Sequence, residues 1–351
     1  MTRTYRLLAA LTLAVLLLAT AVKAGPVPDR LERFREIASD RLSAVQVLDA
    51  ASAAQAYREA YALLDEEIVE SLGSGGVFAS TAFLQDRVDA FGDAWGGAAA
   101  RIVRLGSLTV GVFQLGDRVF GNSVRVYGKL RDETALLTAL AREGRPTLYP
   151  LPNAANGVVQ FLVSWDGTQS GRANRPLQLE VARQQSDGVR VTWTTGSAYP
   201  DGLVARSYSV RGQELRVRHE LRYRGWVPGC DGQTEQEDVY RFSPGTGLYV
   251  RVSQRQFDSW HRELHASAER LFAALAAGDR NAVAGLVPDP RVRQRLPATL
   301  TGDAACDSAL GGAGGEQVSI AASDGRGVPW NVTFQRAGAR WRVTSAAPVI
   351  P

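Results

Sequence analysis

Residues Glu214–Tyr223 read "ELRVRHELRY". Apolar and charged residues alternate through the segment, which predicts a β-strand with one face buried and one face wet. Val217, His219, Leu221 and Tyr223 fall on the inner face, and Arg216, Arg218, Glu220, Arg222 and Arg224 on the outer. The same period of two recurs in "LTVGVFQL", "SVRVYGKL", "VVQFLVSW", "LQLEVARQ", "VRVTWTT", "EDVYRF" and "LYVRVSQRQF". Asp166-Gly167, Asp187-Gly188 and Asp201-Gly202 supply turns between the runs. Short alternating strands of this kind predict an antiparallel β-sheet or partial barrel over residues 105–256. A helix is expected to interrupt them at Asp132–Arg142.

On either side of this β-region the period changes to that of a helix. Leu31, Phe34, Ala38, Val45 and Leu48, then Tyr57, Tyr61, Leu64, Ile68 and Leu72, recur at spacings of three, four or seven, and "GSGG" at 73–76 ends the run. Leu84, Val88, Phe91 and Trp95 mark a further helix, so residues 25–104 are expected to form a helical region. It is acidic, with 13 acidic against 6 basic residues between positions 25 and 93. Beyond residue 257 a helix returns, followed by "DRNAVAGLV", a glycine-rich loop at 311–315, and three strands, "EQVSIAAS", "PWNVTFQR" and "RWRVTSA".

"LFAALAAGDRNAVAGLV" followed by "PWNVTFQRAGARWRV" resembles an NTF2-like (cystatin-like) domain. The resemblance covers about 90 residues, 257–351, and implies helices lying across a bent antiparallel sheet. It implies no activity, because that fold serves enzymes, ligand pockets and accessory modules alike. The expected fold class is α+β: a helical N-terminal part, a central antiparallel β-sheet or partial barrel, and a small NTF2-like C-terminal domain.

The chain opens "MTRTYRLLAALTLAVLLLATAVKAG": Arg3 and Arg6 precede an apolar run, Leu7–Val22, with small residues Ala21 and Ala24 at its end. This is a secretory signal pattern, expected to occupy residues 1–24, and its apolar run is shorter than the ~20 residues of a spanning helix. Cleavage is expected in preference to retention as an anchor. No other run is apolar enough to cross a membrane as a helix, so the mature chain is expected to be periplasmic or secreted. The formal charge of +4 includes Arg3, Arg6 and Lys23, and without them 37 basic residues face 36 acidic ones. A nucleic-acid partner, which needs a basic surface, is therefore not expected.

Cys230 and Cys306 are the only cysteines. Their spacing matches no zinc motif and suits one disulfide in an oxidising compartment. The bond would tie the "GWVPGC" loop to the C-terminal domain and stabilise the fold by roughly 4 kcal/mol in the chain-entropy model.

Two of the three histidines, His261 and His265, stand one helical turn apart in "FDSWHRELHASAERLF". A zinc hydrolase helix needs such a pair with a glutamate aimed at the metal. Glu263 is about 200° round the helix from His261 and points away, and Glu269 would have to complete a set from a single helix. The pair is read as surface histidines beside Glu263 and Glu269, and no metal or cofactor is expected. His219 is read as a satisfied core histidine. Arg216, Arg218, Arg222 and Arg224, joined by Arg251 and Arg255 of the later strand, are the candidate binding residues. Guanidinium groups on one sheet face suit carboxylates, phosphates or sulfates. That face is expected to meet either the acids of residues 29–93 or an anionic envelope component.

No nucleophile elbow or phosphate loop is present in the sequence. The expectation is an exported, non-enzymatic binding or scaffolding protein of the bacterial cell envelope; the rival is an extracytoplasmic hydrolase with a scattered or histidine-based site.

Overall fold

The computed structural model describes residues 29–42, 50–116, 119–170, 174–309, 316–338 and 340–349. The expected signal segment and the glycine-rich loop at 311–315 lie outside the described residues, as do Val45 and Leu48 of the helical pattern. Helices α1 (Arg30–Leu42), α2 (Ala50–Ser74) and α3 (Thr81–Ala94) come first. Strands β1 (Ala99–Leu105), β2 (Leu108–Gln114), β3 (Asn122–Leu130) and β4 (Glu133–Ala141) then form an antiparallel sheet in sequential order. The Ser80 hydroxyl caps α3 by accepting from Phe83 N–H.

A longer sheet follows, built from β5 (Arg145–Pro150), β6 (Gln160–Asp166), β7 (Arg175–Gln185), β8 (Gly188–Thr194), β9 (Val204–Arg211), β10 (Glu214–Glu220), β11 (Glu235–Ser243) and β12 (Leu248–Phe257). Its order is β12-β11-β10-β9-β7-β6-β5, with β8 also on β7, and every pairing is antiparallel. Among the described residues it does not close into a barrel. The last part of the chain supplies α4 (Ser259–Ala277), α5 (Arg280–Leu286), α6 (Pro290–Arg295) and an antiparallel sheet of β13 (Thr301–Gly302), β14 (Ser308–Ala309), β15 (Gln317–Ser323), β16 (Pro329–Ala337) and β17 (Arg340–Pro348).

Among the described residues, four cores follow from the alternation of side chains across these sheets. Ile102, Phe113 and Tyr127 of the first sheet face Phe34, Leu64, Ile68 and Phe91 of the helices. Val110, Val124 and Val126 point the other way, onto Phe161, Val163 and Trp165 of the long sheet. The far face of the long sheet gathers Leu162, Leu179, Leu215, Val217, Tyr240 and Phe242. The C-terminal core joins Leu264, Ala268 and Leu271 of α4 to Ile320, Val332, Phe334 and Val343. Each fully buried side chain of this size contributes roughly 1.5–3 kcal/mol.

Two expectations are corrected. The helical region does not end a packing unit at residue 104: β1 begins at Ala99, and the helices share their core with the first sheet. The helix expected at 132–142 is strand β4. Arg131 and Asp132 have φ of 50° and 69°, and Leu130 pairs with Glu133, so these two residues form a tight hairpin turn. The leucines and alanines that favour helix by propensity are instead held by ladder bonds to β3 and by packing against α2.

Candidate functional site

The connection from β10 to β11, residues 221–234, is folded down onto the start of α4. Buried Gln233 organises it from inside, accepting from Val227 N–H at 2.9 Å and donating to the Val227 and Cys230 carbonyls at 2.6 and 3.2 Å. Thr234, fully buried, donates its hydroxyl to the Asp258 carbonyl at 2.7 Å and accepts from Arg262 N–H at 3.2 Å. It thereby caps α4 in place of Asp258, whose own side chain makes no cap bond. Cys230 is bonded to Cys306, with Cα atoms 5.2 Å apart, as the sequence led us to expect.

This disulfide brings the next residue, Asp307, onto the histidine face of α4. Asp307 Oδ2 lies 2.9 Å from His261 Nε2 and 2.7 Å from His265 Nε2. Both rings are buried, tilted by 34° with centroids 4.7 Å apart, and the Asp307 side chain is only 8% exposed. Tyr223 hydrogen-bonds His261 Nδ1 and accepts from Thr234 N–H at 3.2 Å. Burial alone raises the Asp307 carboxyl, but the hydrogen bonds from His261 and His265 outweigh it and hold the group below the usual carboxylate range. Burial pushes the Tyr223 phenol up. Asp307 Oδ1 is buried and has no hydrogen-bond partner among the described residues.

The reading of His261 and His265 as surface histidines is therefore overturned: both are buried and both contact Asp307. Helical spacing put them on one face, but only the folded loop and the sheet hide that face. Glu263 and Glu269 are elsewhere: Glu263 pairs with Arg336 at 3.7 Å and Glu269 with Arg224 at 2.6 Å. Asp307 and the role of Tyr223 were missed. The available signal was the cysteine pair, since any bond between Cys230 and Cys306 must carry Asp307 towards the loop that holds Tyr223.

Beside the cluster is an open cavity of about 700 Å³ between α4, the 224–227 turn and the 298–304 segment. Ala268, Phe272, Leu300, Ile320 and Trp226 give it an apolar wall, and His265 stands at its inner side. Gly225, with φ of 86°, lies so close to His265 that a Cβ there would sit 1.9 Å from Nδ1. Only glycine fits this approach.

The six candidate arginines are not an unopposed cluster. β10 ends at Glu220, so Arg222 and Arg224 belong to the loop and not to the sheet face. Arg216 donates to Glu214 at 2.6 Å, and Arg218 pairs with Glu235 and lies 4.3 Å over the Phe257 ring. Arg255 lies over the same ring at 4.8 Å, and Arg251 is 3.7 Å from Asp238. Arg222 donates to the Asp201 carbonyl at 3.3 Å. Among the described residues the carboxylates come from β10, β11 and α4, and not from positions 29–93. His219 is a satisfied core histidine: its Nε2 is 3.2 Å from Asp238 Oδ2, which also accepts from Tyr199 at 2.7 Å.

No protein-family model matches the sequence, and no curated protein matches it as a relative. Among solved structures, the α-L-arabinofuranosidase Arb93A of Fusarium graminearum, in complex with an iminosugar inhibitor, aligns at 9% identity. The alignment covers 72% of this chain and 66% of that one, with a TM-score of 0.24. An overlap this loose carries no conclusion about fold or activity.

Proposed function

We propose that the chain is an exported, non-enzymatic binding protein of the bacterial cell envelope. Its site is the cavity beside α4, which takes a small, largely apolar molecule with one hydrogen-bonding group. The observation that carries this is the cavity of about 700 Å³, walled by Ala268, Phe272, Leu300, Ile320 and Trp226, with Thr299, Thr301 and Asp303 as polar groups along it. The volume is in the range of pockets that enclose cofactor-sized ligands. Arg224 is paired with Glu269 at its rim and Asp303 adds a carboxylate to the lining, so a neutral ligand fits better than an anionic one.

Export is supported by the signal pattern at residues 1–24 and by the disulfide, a bond favoured outside the cytoplasm. An NTF2-like reading of residues 257–351 is supported by helices α4–α6 packed on an antiparallel sheet around one core. The test is titration with the neutral apolar dye Nile red. Saturable one-to-one binding should weaken at least tenfold in Ala273→Trp, which fills the cavity from an exposed position on α4. Absence of saturable binding, or equal binding by the variant, would refute the assignment.

A further inference from the structure

His261, His265 and Asp307 present two imidazole nitrogens and a carboxylate oxygen, all within 4.8 Å of one another. Three features set this cluster apart from an ordinary buried ion pair. Its two histidines are one turn apart on a single helix face, the spacing that lets both Nε2 atoms meet one ion. Its carboxylate keeps a buried oxygen, Oδ1, that no group among the described residues satisfies, and such an orphan calls for a further partner. His261 has a second partner on its far nitrogen, the Tyr223 hydroxyl, as metal-bound histidines nearly always do.

We propose that these three residues bind one divalent transition-metal ion of the zinc class. Two imidazoles and one carboxylate suit zinc, cobalt, nickel or iron rather than calcium or magnesium, which prefer all-oxygen sites. Binding needs local adjustment of a set whose ligand atoms lie within 4.8 Å of one another. Ligands about 2.0–2.2 Å from a tetrahedral zinc stand ~3.3 Å from each other, whereas the nitrogen–oxygen separations here are 2.9 and 2.7 Å. A small rotation of the Asp307 carboxylate opens the gap and offers Oδ1 as well. In the bound form each ring presents its Nε2 lone pair to the ion and carries its proton on Nδ1. His261 Nδ1–H then donates to the Tyr223 oxygen, which also accepts from Thr234 N–H. The disulfide holds Asp307 in place before the ion arrives. This site stands whether or not the neighbouring cavity takes an organic ligand.

The test uses the full chain with its disulfide intact, stripped with a chelator, dialysed and titrated with Co²⁺. One equivalent should bind and give visible d–d absorption that Zn²⁺ abolishes. Affinity should fall by about 100-fold or more in His265→Ala and in Asp307→Asn, the second of which keeps the side-chain size so that loss there is not loss of fold. Glu263→Gln, paired with Arg336 on another side of the helix, should bind as the wild type does. A wild type without the absorption bands, or affinity in Asp307→Asn and His265→Ala equal to that of the wild type, would overturn the proposal.

Discussion

Asp307 accepts from His265 at 2.7 Å while its chain neighbour, Cys306, is bonded to Cys230. The disulfide and the His–Asp contact are therefore two parts of one latch that joins the β10–β11 connection, helix α4 and the segment before β14. Reduction, or Cys306→Ser, should lower the unfolding free energy by about 4 kcal/mol, the chain-entropy value for a loop of this length. Proteolysis should then cut first within residues 257–309. Cleavage that starts in the helices of residues 30–94 would show that the latch does not hold the C-terminal part.

Gly225 and Gly229 both have φ of 86°, but only Gly225 faces a side chain, His265. An alanine at either position meets the left-handed backbone penalty of ~1–2 kcal/mol. Gly225→Ala should cost a further ~1–3 kcal/mol for the clash with the ring. Urea denaturation of the two variants measures the difference, and equal losses would show that the ring moves aside freely.

Asp65 on α2 accepts from Arg125 Nε at 2.6 Å and from Tyr127 at 2.8 Å, tying the helices to β3. Its side chain is 17% exposed and that of Arg125 12%. Asp65→Ala strands a nearly enclosed guanidinium and should destabilise the protein by about 3–5 kcal/mol. Asp65→Ala together with Arg125→Met should recover part of that loss in thermal unfolding. A double variant no more stable than Asp65→Ala would contradict the stranded-charge account.

Asp238 governs part of the acid response. Burial raises its carboxyl, but the bonds from His219, Tyr199 and Gln236 prevail and leave its pKa below the ordinary value. A carboxyl lowered in the folded state adds stability above the unfolded value near 4, and that stability is lost as pH falls through the folded value. The stability gap between the wild type and Asp238→Asn should thus be widest near neutrality and shrink below about pH 4. A constant gap from neutrality to strong acid would show that Asp238 is not charged in the folded protein.

Much of the architecture was legible because burial of one face imposes the period of two. "ELRVRHELRY" became β10 as far as Glu220, and His219 took its place in the core. β4 was not legible, since "ETALLTALA" is rich in helix-favouring leucine and alanine and its strand identity comes from pairing with β3. The site was half legible. Helical spacing aligned His261 with His265, but Asp307 is 42 positions beyond His265, and only the folded chain brings them together. The partners of the arginine face were only partly legible, because Glu235 and Asp238 of β11 come beside Arg218 and Arg251 through strand pairing.

The cavity as a binding site is tested most directly by labelling the seven tryptophans with 5-fluorotryptophan and recording ¹⁹F spectra as Nile red is added. Trp226 lines the cavity, and Trp165 is fully buried in another core. The Trp226 resonance should shift with saturation while that of Trp165 stays fixed. A saturated spectrum in which Trp226 does not move would contradict the account.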